Sequence, residues 1–112
     1  MGERENEERL TEVLRAASDP TRRAILTILV QEGPARVTDL ASRFDMSLNS
    51  VSKHIKTLEQ AGLVSRRTDW REHLISPEME PIGLIDAWFG QLRSSWSMRL
   101  EKLAVILKEE TK

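Results

Sequence analysis

Between Ser47 and Lys56 the chain gathers short hydrogen-bonding side chains and cations, Ser47, Asn49, Ser50, Ser52, Lys53, His54 and Lys56, with no carboxylate among them. At about 100° per residue on a helix, Asn49, Lys53 and Lys56 fall opposite Val51, Ile55 and Leu58, with Ser50 and Ser52 on the flanks. One face of such a helix is apolar and the other can donate hydrogen bonds and positive charge. Short polar side chains let a backbone approach base edges closely enough to read them, and lysines suit phosphates. A second cationic group, Arg66, Arg67 and Arg71, lies where alternation predicts two short strands, Leu63–Arg67 and Glu72–Ser76, joined by a tip at Thr68–Arg71. Every phosphate neutralised there would release counterions and make affinity salt-dependent, and a wing arginine could also enter a minor groove.

Other chemistries lack their residues. With no cysteine there is no disulfide, thiolate nucleophile or thiolate metal site, and His54 and His73 are the only histidines. His54, on the flank of the apolar stripe, is expected to pack or reach a phosphate and not to hold a metal. His73, beside Glu72, reads as an ordinary surface residue, with contact to a nucleic-acid backbone as the alternative. Asp19 and Arg22 are explained by a helix cap followed by first-turn charge. No nucleophile–base pair, phosphate-cradling glycine loop or carboxylate cluster is present, so no enzyme activity, cofactor or metal is expected.

The formal net charge of −1 does not favour a polyanionic partner, but its distribution is uneven. From Ser47 to His73, Lys53, Lys56, Arg66, Arg67 and Arg71 outnumber Glu59, Asp69 and Glu72, whereas five glutamates face two arginines from Met1 to Glu12. With a Debye length of about 8 Å at physiological salt, a local positive face can act independently of the total.

The elements that must position these groups follow from periodicity. Leu10, Val13, Leu14 and Ala17 predict a helix over 7–17, and Asp19-Pro20 opens a second that buries Ile25, Leu26, Ile28 and Leu29 and stops at Gly33-Pro34. Thr38 is expected to cap a short third helix reaching Phe44, and Ser47 to cap a fourth that Gly62 ends. From 81 to 108, Ile82, Ile85, Phe89, Leu92, Trp96, Leu100, Leu103 and Leu107 predict one helix of roughly 40 Å, longer than a body this small is wide. Part of its stripe must find another partner.

At 112 residues the chain is expected to hold a single domain, mainly α in an α+β arrangement: about five helices with a two-stranded β-hairpin wing. Segments 7–17 and 81–108 would be dimerisation helices, 38–62 a helix-turn-helix and 63–76 the wing. The expected interface residues are Leu10, Val13, Leu14, Ile85, Trp88, Phe89, Leu92, Trp96, Leu100 and Leu103. Trp88, Phe89 and Trp96 could instead line an effector pocket, but aromatics on an amphipathic helix more often make core or interface. No apolar run approaches the roughly 20 residues of a membrane span, and the acidic start is unlike a signal peptide, so a cytoplasmic protein without a membrane partner is expected.

The order Asp19-Pro20-Thr21-Arg22-Arg23-Ala24-Ile25-Leu26, then Val37-Thr38-Asp39-Leu40-Ala41, then Met46-Ser47 through Val51-Ser52-Lys53-His54-Ile55 to Leu58-Glu59-Gln60-Ala61-Gly62-Leu63-Val64 resembles the winged-helix repressors of the ArsR (arsenical-resistance repressor) family. The resemblance covers about Leu10 to Ser76. It implies a homodimer built on the first and last helices, two recognition helices facing successive major grooves of double-stranded DNA, and repression relieved by an effector. Val37, Thr38 and Asp39 stand where metal-sensing members carry a cysteine pair, and the ligands of the last helix are missing, which points to the non-metal branch. Asp69-Trp70 also departs from the glycine that members often place at the wing tip. The expected function is therefore a sequence-specific transcriptional repressor, homodimeric on a pseudo-palindromic operator; the sequence leaves open whether a small-molecule effector acts on it and identifies none. The acidic N-terminal segment does nothing obvious for DNA, and leaves a winged-helix protein–protein interaction module as the alternative.

Overall fold

The structure, a computed structural model, describes residues 2–111. Over those residues the elements are α1 (Gly2–Ala17), α2 (Pro20–Glu32), β1 (Ala35–Arg36), α3 (Val37–Ala41), α4 (Leu48–Gln60), β2 (Val64–Asp69), β3 (Glu72–Pro77) and α5 (Ile82–Glu110).

The helix boundaries have local causes. Asp19 sits in extended conformation before α2 and its carboxylate accepts the Arg22 N–H at 3.0 Å, while Pro20 occupies the first turn, where no N–H is needed. At the other end Gly33, with φ 94°, donates its N–H to the Leu29 carbonyl at 2.9 Å, a backbone conformation that glycine adopts without strain. Helix α1 starts before the predicted position 7.

Two differences from the sequence reading share one origin. Ala35 and Arg36 pair antiparallel with Ile75 and Leu74, so the sheet has three strands in the order β1-β3-β2, not two. Because the chain leaves this strand directly into α3, that helix begins at Val37, behind an extended Arg36 that makes no side-chain cap. Thr38 is therefore inside the helix and is not its cap, and α3 ends at Ala41, before Phe44.

The core lies where the helices meet the inner face of the sheet. Ile25 and Leu29 from α2, Leu40 from α3, and Val51, Ile55 and Leu58 from α4 pack with Leu63, Val64 and Ile75. Val13 and Ala16 join them from α1, which removes Val13 from the expected interface: its side chain is used inside the protomer. Ile55 is fully buried, so Ile55→Ala should destabilise the fold by about 3 kcal/mol through lost burial and the cavity left behind. Chemical denaturation would report this as a lower midpoint, and an unchanged midpoint would contradict the packing.

The wing is tighter than expected. Register pairs run from Val64 with Pro77 to Asp69 with Glu72, leaving only Trp70 and Arg71 to turn the chain. Trp70 takes φ 61°, a left-handed conformation that costs a non-glycine residue about 1 kcal/mol or more.

Helix α5 packs only its start on the body. Ile82 and Ile85 lie partly buried against the core, and α5 contains no fully buried residue. Beyond them Trp88, Phe89, Leu92, Trp96, Leu100 and Leu103 are exposed, and the molecule extends 74 Å along its longest axis against 36 and 21 Å along the others.

Candidate nucleic-acid interface

The second helix of the helix-turn-helix is α4, and its orientation is fixed by its apolar side. Val51, Ile55 and Leu58 are buried in the core, which turns Asn49, Lys53 and Lys56 outward; all three are exposed. The hydroxyl oxygen of Ser47 accepts the Ser50 N–H at 3.1 Å, and its O–H donates to the Ser50 hydroxyl at 3.0 Å, so this serine holds the helix start. Ser52 is half-buried at the edge of the face, and Gln60, which sequence reasoning missed, is exposed. It lies one helical turn beyond Lys56 on the same row.

Ion pairs sort the charges around this face. Arg66 reaches back to Glu59 at 3.4 Å and is half-buried, so it is tied to α4 and does not extend freely from the wing. Glu72 is held by Arg36 at 2.7 Å, and Arg36 also contacts Asp39 at 3.0 Å. These carboxylates keep the Arg36 guanidinium firmly protonated, the Glu72 hydrogen bond contributing most and the one to Asp39 next. Among the described residues, Lys53, Lys56, Arg67 and Arg71 form no ion pair. Two of the three local carboxylates thus have partners within the chain, while four cations form no ion pair.

His54 packs within the protomer, one of the two roles expected of it. It is half-buried, its Nδ1 lies 3.2 Å from the Arg22 guanidinium and 3.9 Å from the Asp19 carboxylate, and Arg22 also donates to the Ala16 carbonyl at 2.7 Å. The imidazole thus faces the α1–α2 junction and links α4 to it. It is not turned toward a phosphate, because its position on α4 lies closer to the buried stripe than to the Asn49–Lys53–Lys56 row.

The wing stands beside the start of α4. A cleft of about 350 Å³ separates them, lined by Leu48 and Ser52 on the helix side, Arg71, Glu72 and His73 on the wing side, and Arg36, Val37 and Thr38 at its floor. His73 is exposed, with its Nδ1 3.2 Å from the Thr68 hydroxyl. A convex polar helix flanked by a hairpin of unpaired cations is the shape that enters a major groove and grips the adjoining backbone.

Residues 17–67 match the model of a family described as a helix-turn-helix domain. A crystal structure of an ArsR family transcriptional regulator superposes with a TM-score of 0.76 at 38% identity, covering 81% of this chain and 93% of that one. The chain belongs to the ArsR family of transcriptional regulators. The transcriptional repressor SdpR of Bacillus subtilis (strain 168) is 41% identical over 56 residues, a match that covers 50% of this chain and 61% of that repressor's length. The arsenical resistance operon repressor of Escherichia coli (strain K12) is 27% identical over 100 residues, 87% of this chain and 80% of that protein.

In this ArsR-family regulator the residue that anchors the wing, Arg36, carries no signal in the sequence, because the two-residue strand that aims it is too short for periodicity to reveal. The Asp19 junction makes a further expectation testable. Its carboxyl is held below the usual carboxylate value by the Arg22 backbone N–H first, with the charges of His54 and Arg22 assisting against partial desolvation. Glu32 is lowered likewise by its hydrogen bond from Arg43. A depressed folded-state pKa means stabilisation that is complete above the ordinary carboxylate range and lost as pH falls through it. The thermal midpoint of the regulator should therefore drop between about pH 5 and 2, and drop less steeply in Asp19→Asn. Equal slopes by circular dichroism would contradict the role given to Asp19. Among the described residues no helix is long and apolar enough to cross a membrane, and no three metal-ligating side chains of His, Cys, Asp or Glu come together.

Proposed function

We propose that this regulator is a sequence-specific repressor that binds a pseudo-palindromic operator as a homodimer, laying α4 of each protomer in successive major grooves. The observation that carries the reading is the exposed, unpaired row Asn49, Lys53 and Lys56, set beside the unpaired wing cations Arg67 and Arg71. Asn49 and Ser50 would contact base edges, whereas the lysines and wing arginines would neutralise phosphates.

The second copy is argued from α5. Ile85, Phe89, Leu92, Trp96, Arg99, Leu103 and Ile106 alternate spacings of four and three, the heptad seam of a helix that packs along another. In a parallel pair two Arg99 guanidinium groups would oppose each other. In an antiparallel pair about an axis between Ser97 and Met98, Leu92 would meet the partner's Leu103 and Arg99 would stack on the partner's Trp96, a favourable cation–π contact. Leu10, half-buried on α1, lines a groove with Leu84, Ala87 and Trp88 of α5, and Leu14 is half-buried one turn further along α1.

Fluorescence anisotropy with a duplex from the regulator's own upstream region tests the reading. Sequence-dependent binding that weakens steeply with salt is expected, and no binding at micromolar protein would refute it.

A further inference from the structure

We propose that Trp70 is a further DNA-contacting residue, an apolar wedge that the wing delivers to the minor groove next to the major groove occupied by α4; the proposal rests on the DNA-binding reading above.

Trp70 is 92% exposed at the outermost point of the hairpin, and its φ of 61° belongs to the region that glycine occupies without strain. The free protomer thus bears two penalties at one residue, backbone strain and a hydrated indole. Nothing among the described residues offsets them: the aromatic stacking there is between Trp88 and Phe89, on α5. A ring held out in this way gains only when a surface outside the chain covers it.

Charge narrows that surface. The tip carries Asp69, Arg71 and Glu72, of which Glu72 is bound to Arg36, so the remaining Asp69 and Arg71 cancel. A tip without net charge leaves phosphates to its flanking cations, Arg71 among them, and does not itself draw the indole to one. It suits the minor groove, where sugars offer apolar walls, a partly opened base step offers a π-face, and the indole N–H can donate to the acceptors of an A·T pair. Position agrees, because Arg71 and Glu72 at the tip, with His73 next to them, share a cleft with Leu48 and Ser52 of α4, which places the tip beside that helix. A wedge of this kind favours easily unstacked pyrimidine–purine steps, adding sequence preference where no base edge is read by α4.

The test uses the full-length protein and a duplex of roughly 30 base pairs selected by the wild type from a random pool, long enough for two half-sites. Trp70→Ala should weaken binding about tenfold or more and leave the salt dependence unchanged, whereas Trp70→Phe should stay within about threefold, since stacking and not charge is lost or kept. With 5-fluorotryptophan incorporated, the ¹⁹F resonance that disappears in Trp70→Phe should shift when the duplex is added. Undiminished affinity of Trp70→Ala with an unmoved resonance would overturn the wedge alone. Full affinity of Trp70→Arg with a steeper salt dependence would overturn it too, by showing a phosphate contact. A wild-type protein that selects no duplex would overturn the DNA-binding reading together with it.

Discussion

Replacing Lys53 and Arg67 together by alanine is expected to weaken operator binding about a thousandfold and to flatten its salt dependence, while the protein stays folded. Both side chains are exposed and unpaired, so their loss removes no internal contact. A dimer carrying the double substitution would lose four phosphate contacts. At roughly 1 kcal/mol each these amount to about three orders of magnitude, and at about 0.9 per phosphate the slope of log affinity against log salt falls by about 3.6. Arg66→Gln is the matched control. Its guanidinium is engaged with Glu59, and its removal should leave the slope unchanged. A slope that falls equally in both variants would mean that unpaired charge does not distinguish the contacts.

These two arginines are neighbours in sequence, and their different fates show where the sequence could be read and where it could not. Helix α4 was legible because its signals are local: a serine cap, an apolar stripe at helical spacing and a glycine stop lie within Ser47–Gly62. The hairpin was legible for the same reason. The partners of Arg66 and His54 were not, since Glu59 is reached across a turn of chain and Arg22 lies on another helix. Val13 looked like one more member of an outward stripe on α1, and only the packing of α1 against other helices buries it. Strand β1 escaped because two residues have no periodicity, and with it went the role of Arg36. The sequence did show the substitution of a tryptophan for a turn-forming glycine at the wing tip, but not the left-handed backbone that makes it expensive.

The second large effect concerns α5. Leu92→Glu combined with Leu103→Glu should convert the protein to monomers and lower operator affinity about a hundredfold or more, because each half-site then binds without the effective concentration that the other supplies. Both leucines are about half exposed in the protomer, so the change should spare its core. Placed at facing heptad positions, the glutamates would instead set like charges into an apolar seam. Sedimentation equilibrium reads the first effect and anisotropy the second. An intact dimer would contradict the proposed seam, while monomers with full affinity would contradict the two-half-site operator.

The most direct measurement is an amide-resolved NMR titration of the ¹⁵N-labelled protein with its own upstream duplex. If α4 enters the major groove with the wing beside it, the largest shifts will fall on Asn49, Ser50, Lys53 and Lys56, then on Arg67 to Arg71, with the distal half of α5 unmoved. Shifts concentrated on Trp88 to Leu107, with α4 silent, would show that the nucleic acid is met by a different face and would contradict the account.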